Sequence, residues 1–146
     1  MRKTFFRVLV YIISRFIKTD NIADKFPISL KAIIIDKGKI LLLKTERDEW
    51  DFPGGKINFN EKPEVCLTRE VKEELNLEIG DLNIVKSFNL KFNSSPVFVV
   101  LYRVKILCNN PIVPSYEHLD YNFFSKHQLQ VLNIRKEYKE VISQIL

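Results

Sequence analysis

The stretch from Pro53 to Leu77 constrains this chain more than any other. It joins a glycine-rich turn, at fixed distance, to an acid-dense helix: residues 54–77 read GGKINFNEKPEVCLTREVKEELNL. Phe52 precedes a proline, which keeps it extended, and Pro53-Gly54-Gly55 then demands a sharp turn. From about Lys62 to Leu75 the pattern is helical. Pro63 suits a first turn, and Leu67, Val71 and Leu75 form an i, i+4, i+8 stripe that should anchor the helix to a sheet. Asn76 stands where the helix must reverse through a left-handed residue, a geometry asparagine tolerates better than any other non-glycine residue. Asn60 is a second candidate for that geometry. Such a helix brings Glu70, Glu73 and Glu74 to one side, because positions three and four apart are surface neighbours. Three carboxylates there repel one another unless a positive group sits among them. A divalent cation with oxygen ligands meets that need, magnesium by default and manganese as the alternative.

Taken alone, EVKEEL would read as a solvated charged face. Its register with the upstream WDFPGGKI argues otherwise. The two together resemble the signature of the Nudix hydrolase family, G-x5-E-x7-R-E-U-x-E-E-x-G-U with U a bulky aliphatic residue. Gly55, Glu61, Arg69, Glu70, Val71, Glu73, Glu74 and Leu77 all fall in register, and Asn76 replaces the last glycine. The resemblance implies an α/β fold, an α/β/α sandwich around a mixed β-sheet, with an additional N-terminal helix in this chain. It implies magnesium-dependent hydrolysis of a pyrophosphate bond in a nucleoside diphosphate linked to another group. Metal ligation would come from Glu70, Glu73, Glu74 and the Gly54 carbonyl, with Glu70 also a candidate base.

Arg69 can hold a carboxylate in a bidentate pair and offset the acidic cluster. Glu61 either supports the metal site or serves only as a carboxylate near the helix N-terminus. Glu117 precedes HLDYNFF, which resembles the family's last strand, and is a further candidate for ligand or base. Lys56 is a candidate phosphate contact, and His118 reads as an exposed loop residue. WDFPGGKI resembles most the branch that cleaves nucleoside triphosphates to monophosphate and pyrophosphate. ADP-ribose, a nucleotide sugar or a dinucleoside polyphosphate are the alternative substrates. A non-catalytic nucleotide-binding module of the same fold is the competing class, and retention of every signature acid speaks against it.

A length of 146 residues suits one domain with a real core, and 46% hydrophobic with 28% charged residues is ordinary for a globular protein. Cys66 and Cys108 show no metal-ligand spacing, which points to a reduced cytoplasmic compartment with both thiols as small apolar fillers. The net charge of +5 belongs to the start of the chain: residues 1–31 hold seven Lys/Arg against Asp20 and Asp24, and the remainder sums to zero. No nucleic-acid surface is therefore expected on the domain. No apolar run is long enough for a membrane span. MRKTFFRVLVYII is interrupted by Arg7 and lacks a cleavage site, so no cleaved signal is expected. Residues 1–20 read as an amphipathic basic helix and 26–146 as the domain. The helix would pack on the domain or on a second copy in a homodimer; contact with an anionic membrane surface is the less favoured reading.

Strands are expected over 28–36 and 39–44, joined by a hairpin at Lys37-Gly38, and over 50–52, 82–92, 97–107 and 119–124. Asn93 to Pro96 reads as the turn between the two long strands. Helices are expected over 125–130 and 135–146. Trp50 and Phe52 should be core or pocket wall, and Cys66 buried and inert.

Overall fold

Aliphatic runs form the two central strands, β1 (Ile28–Asp36) and β2 (Lys39–Lys44). The computed structural model describes residues 27–92, 95–108 and 110–146; the helix expected over 1–20 lies outside them. Lys37 and Gly38, at φ 47° and 73°, make the connection, both positive as a two-residue hairpin turn requires. β1 and β2 pair only beside that turn, Ile35 with Ile40 and Asp36 with Lys39. They then diverge. β1 takes β5 (Ser95–Ile106) as a parallel partner, and β4 (Ile79–Phe92) lies antiparallel outside it. β2 takes β6 (Asp120–Phe124) along its length and β3 (Trp50–Asp51) near its end. The result is the expected mixed sheet, in the order β3-β2-β1-β5-β4 with β6 on β2.

The divergence of β1 from β2 matters for function, because the glycine turn fills it. The Leu30 N–H donates to the Gly55 carbonyl (2.9 Å), Ala32 to Pro53 (2.8 Å) and Ile57 to the carbonyl of Ile28 (3.0 Å). A backbone turn thus completes the edge of a buried strand, which leaves few polar groups unsatisfied.

Helices cover both faces. On one, Leu67, Val71 and Leu75 of α1 (Pro63–Leu75) are fully buried against Leu30, Ala32, Ile34, Leu41 and Leu43. Each such side chain stabilises by about 1.5–3 kcal/mol on burial. On the other, α2 (Lys126–Leu129) and α3 (Lys136–Ile145) bring Leu129, Tyr138, Val141 and Ile142 onto Ile33, Ile40, Leu42 and Phe52. Alternate residues of β1 and β2 therefore enter different cores, and both strands read as largely apolar runs, broken in β1 by Ser29 and Lys31.

Several expectations need correction. Ser95 and Pro96 belong to β5 rather than to a turn, pairing with Phe92 and Lys91. Proline is tolerated there because β1 first meets β5 at Phe98, so Pro96 is not flanked on that side. β4 begins at Ile79, earlier than expected, because bulges around Asp81 (φ 51°) and Val85 let the ladder continue past polar residues. Cys108 is exposed, not an apolar filler, with Sγ 3.4 Å from Glu78 Oε2. Asn76 closes α1 as expected, at φ 57° with its N–H donating to the Lys72 carbonyl, and Asn60 is also left-handed at φ 64°.

Candidate active site

The two glycines of the turn are required for different reasons. Gly54 sits at φ 125°, and a Cβ there would run into the Leu30 carbonyl of β1. Gly55 has ordinary φ, but a Cβ would collide with the carboxylate of Glu70, which lies against its α-carbon. The first glycine lets the turn approach the strand; the second admits the acid. Glu74, one helical turn on, accepts the Gly54 N–H at Oε2 (2.7 Å). Turn and helix are thus locked face to face.

Arg69 organises the rest. Its Nε and Nη2 donate to Glu61 Oε1 and Oε2 (2.8 and 3.0 Å), and Nη1 donates to Glu70 Oε1 (2.7 Å) and Glu73 Oε2 (3.2 Å). The bidentate pair foreseen for Arg69 is therefore made with Glu61. Hydrogen bonds from Arg69, then from the Asn58 N–H, push the Glu61 carboxyl down to about 2, and the guanidinium is held still more firmly in its charged form. Glu61 stands just ahead of α1 and accepts from Arg69 at both oxygens.

Glu74 is the buried acid, 8% exposed. Burial pushes its carboxyl up to about 7, against the opposing pull of Lys31 and the Gly54 N–H. The loop before β6 is pinned to the end of α1, Val113 N–H to the Leu75 carbonyl (3.1 Å) and Ser115 N–H to the Glu74 carbonyl (2.9 Å). That pinning corrects the expectation for His118. Its ring is half-buried, with Nε2 3.4 Å from Glu74 Oε1, and burial lowers its pKa. Its Nδ1 is buried without a hydrogen-bond partner.

Lys31 is the residue sequence reasoning missed. It is a buried lysine on β1, and its Nζ donates to Asp51 Oδ2 (3.0 Å), the Phe52 carbonyl (3.0 Å) and the Gly54 carbonyl (3.1 Å). A signal existed: one lysine interrupts the otherwise apolar run ISLKAIII, and lysine is rarely buried unless paired.

A cleft of about 560 Å³ opens between the turn, α1 and the loop before β6. Its acidic lining residues are Glu46, Glu70, Glu74 and Glu117, and its basic ones Lys31, Arg47 and His118. Glu117 is thus brought to the site, and exposed Glu73 lies on the same guanidinium as Glu70. Lys56 is exposed and does not line the cleft. Phe52 and Trp50 are core rather than cleft wall, Phe52 tilted against Tyr138 (4.9 Å) and Trp50 edge-on to Phe124 (4.6 Å). Cys66 is buried, and burial pushes its thiol up to about 11, consistent with an inert residue.

Among the described residues, no three acidic, histidine or cysteine side chains are gathered closely enough to hold an ion. The donor set still fits a hard divalent cation. Glu70, Glu73, Glu74 and the Gly54 carbonyl are all oxygen donors, and the cleft lining holds more acidic than basic residues.

The family described as NUDIX domain matches residues 25–145. The chain is 44% identical over 52 residues to an 8-oxo-dGTP diphosphatase of Buchnera aphidicola, covering 32% of this chain and 40% of that protein. It is 36% identical over 73 residues to an RNA pyrophosphohydrolase of Blochmanniella floridana, covering 49% and 46%. The match thus spans less than half the length of these curated relatives. A solved MutT protein from Methanosarcina mazei superposes with a TM-score of 0.70 at 26% identity, covering 83% of this chain and 93% of that one.

Proposed function

This chain belongs to the Nudix family, and from that membership and the acid-lined cleft we propose that it is a magnesium-dependent pyrophosphohydrolase acting on nucleotides. The observation that carries the reading is the lock between turn and helix. Gly54, Gly55, Glu70 and Glu74 converge on one opening, and Arg69 restrains Glu70, Glu73 and Glu61 together. The volume, about 560 Å³, suits a nucleotide.

In this reading Glu70, Glu73, Glu74 and the Gly54 carbonyl hold the cation. When bound, it supplies charge neutralisation and polarisation at the phosphoryl oxygens. Glu70, held by Arg69 and pressed against Gly55, is the group placed to take a proton from the attacking water. Arg69 keeps the acids from splaying apart, and Glu61 fixes Arg69. Glu117, which lines the cleft from the loop before β6, serves as an additional ligand or base. Lys56, exposed and outside the cleft lining, is not given a phosphate contact in this reading.

A nucleoside triphosphate, cleaved to monophosphate and pyrophosphate, is the favoured substrate. The relatives named as an 8-oxo-dGTP diphosphatase and an RNA pyrophosphohydrolase support a substrate ending in a polyphosphate. The test is a panel of nucleoside triphosphates, ADP-ribose, nucleotide sugars, dinucleoside polyphosphates and 5′-triphosphorylated RNA, assayed with magnesium or manganese. Release of pyrophosphate from a triphosphate is the expected result. Turnover confined to ADP-ribose or nucleotide sugars would overturn the substrate assignment; binding without turnover of any of them would overturn the enzymatic one.

A further inference from the structure

We propose that Lys31 is a positioning residue of this site, its ammonium acting as a tripod that holds the Asp51–Gly54 turn so that the Gly54 carbonyl and the Glu74 carboxylate face one cation. The proposal rests on the metal-site reading above. An ammonium has three protons, and here all three are spent on the protein: on Asp51 Oδ2, the Phe52 carbonyl and the Gly54 carbonyl. None remains for a phosphate oxygen, so Lys31 is not a substrate ligand although it lines the cleft.

Its acceptors are consecutive points along the turn. Asp51 also accepts the Phe52 N–H (2.7 Å), and the Gly54 N–H meets Glu74. The lysine therefore pins both ends of the segment that presents Gly54, while β1 pins its middle through Ala32 and Pro53. A carbonyl oxygen has two lone pairs; with one taken by Lys31, the other keeps a fixed direction. Removing the ammonium takes its donor from Asp51 Oδ2 and from the Phe52 and Gly54 carbonyls, and leaves the direction of the Gly54 carbonyl set only by the backbone bonds of its neighbours to β1 and by the Gly54 N–H bond to Glu74.

Lys31→Met and Lys31→Arg test this, with circular dichroism and thermal melts to confirm folding. The readout that does not depend on turnover is Mn²⁺ affinity, measured by electron paramagnetic resonance without substrate. Lys31→Met should weaken Mn²⁺ binding about tenfold and lower kcat about tenfold or more, with KM little changed, as is usual for residues that orient metal ligands. Lys31→Arg, which keeps the charge and part of the donor set, should recover part of both. If Lys31→Met does not fold, Lys31→Gln, with amide donors at a similar reach, carries the same expectation to a smaller degree.

Unchanged Mn²⁺ affinity and kcat in a folded neutral variant would overturn the proposal. So would tighter Mn²⁺ binding, which would mean that the lysine only repels the ion, or a raised KM at constant kcat, which would make it a substrate ligand. A wild-type chain that binds no Mn²⁺ overturns the metal-site reading itself. Wild-type binding with an unmoved variant overturns only the role of Lys31.

Discussion

Glu74 makes the metal-free protein sensitive to pH in a direction opposite to that of most carboxylates. Its carboxyl is pushed from 4.5 up to about 7, chiefly by burial. The folded state therefore keeps a proton that the unfolded chain has already released. Between pH 4.5 and about 7 the folded form binds more protons, so stability falls as pH rises through that window and levels off above it. At 1.36 kcal/mol per pH unit the full effect is about 3 kcal/mol. His118 faces the same carboxylate and acts in the other sense: its lowered pKa makes protonation favour the unfolded chain, so stability gained from His118 rises with pH below its ordinary value of 6.5.

The two contributions overlap, and only a comparison separates them. Urea denaturation of metal-free protein at intervals from about pH 5 to 8 should show wild type losing stability relative to Glu74→Gln as pH rises, by up to about 3 kcal/mol. The amide removes the titration while keeping an acceptor for the Gly54 N–H. Magnesium should stabilise wild type more above pH 7 than at pH 5, because the bound cation then meets a carboxylate already charged. Parallel stability curves for wild type and Glu74→Gln would refute the argument, and with it the claim that a buried, proton-holding acid stands at the cation site.

Glu73→Gln and Glu74→Gln should each lower kcat by about a hundredfold or more with circular dichroism unchanged, since each removes a preorganised charge and relieves repulsion in the metal-free protein; full activity in either would remove that residue from the metal site. Gly55→Ala should fold but lose turnover, because the intruding methyl displaces the Glu70 side chain, whereas Gly54→Ala should lower the melting temperature markedly, because there the obstacle is the β1 backbone. Equal thermal stability of the two would contradict that distinction. Asn76→Gly should change stability by no more than about 1 kcal/mol, and Asn76→Val should be clearly worse in thermal melts, because only the β-branched residue resists φ near 57°. Deleting residues 1–18 should lower the melting temperature or the oligomer size if that segment packs on the domain or on a second copy, whereas loss only of salt-sensitive binding to anionic vesicles would place it on a membrane surface.

The parts of this protein that could be read in advance are those governed by local rules. Lys37-Gly38 announced its hairpin through residue type, Asn76 its left-handed cap, and Leu67, Val71 and Leu75 the buried stripe of α1. Helical spacing likewise puts Glu70, Glu73 and Glu74 on one side of α1, where Arg69 bonds Glu70 and Glu73 while Glu74 turns inward to the Gly54 N–H. What escaped depends on distant pairing. His118 is drawn inward because the loop before β6 hydrogen-bonds to the end of α1, a contact between segments whose separation carries no local signal. Asn93 to Pro96 reads locally as a turn, yet Pro96 pairs with Lys91 in β5, where β1 joins only two residues further on, at Phe98.

Lys31 is the most instructive case, since its pattern was visible and its meaning was not. A lysine inside ISLKAIII conflicts with a strand buried on both faces, and such conflicts between local pattern and global burial tend to mark functional or strained positions. Its resolution needs Asp51 and two carbonyls from a turn twenty or so residues on, brought within 3.1 Å only because β1 and β2 diverge and the turn fills the gap. The lysine is therefore intelligible as a consequence of sheet topology: the glycine turn lies where β1 and β2 part, and β1 beside it carries a donor that meets all three acceptors at once.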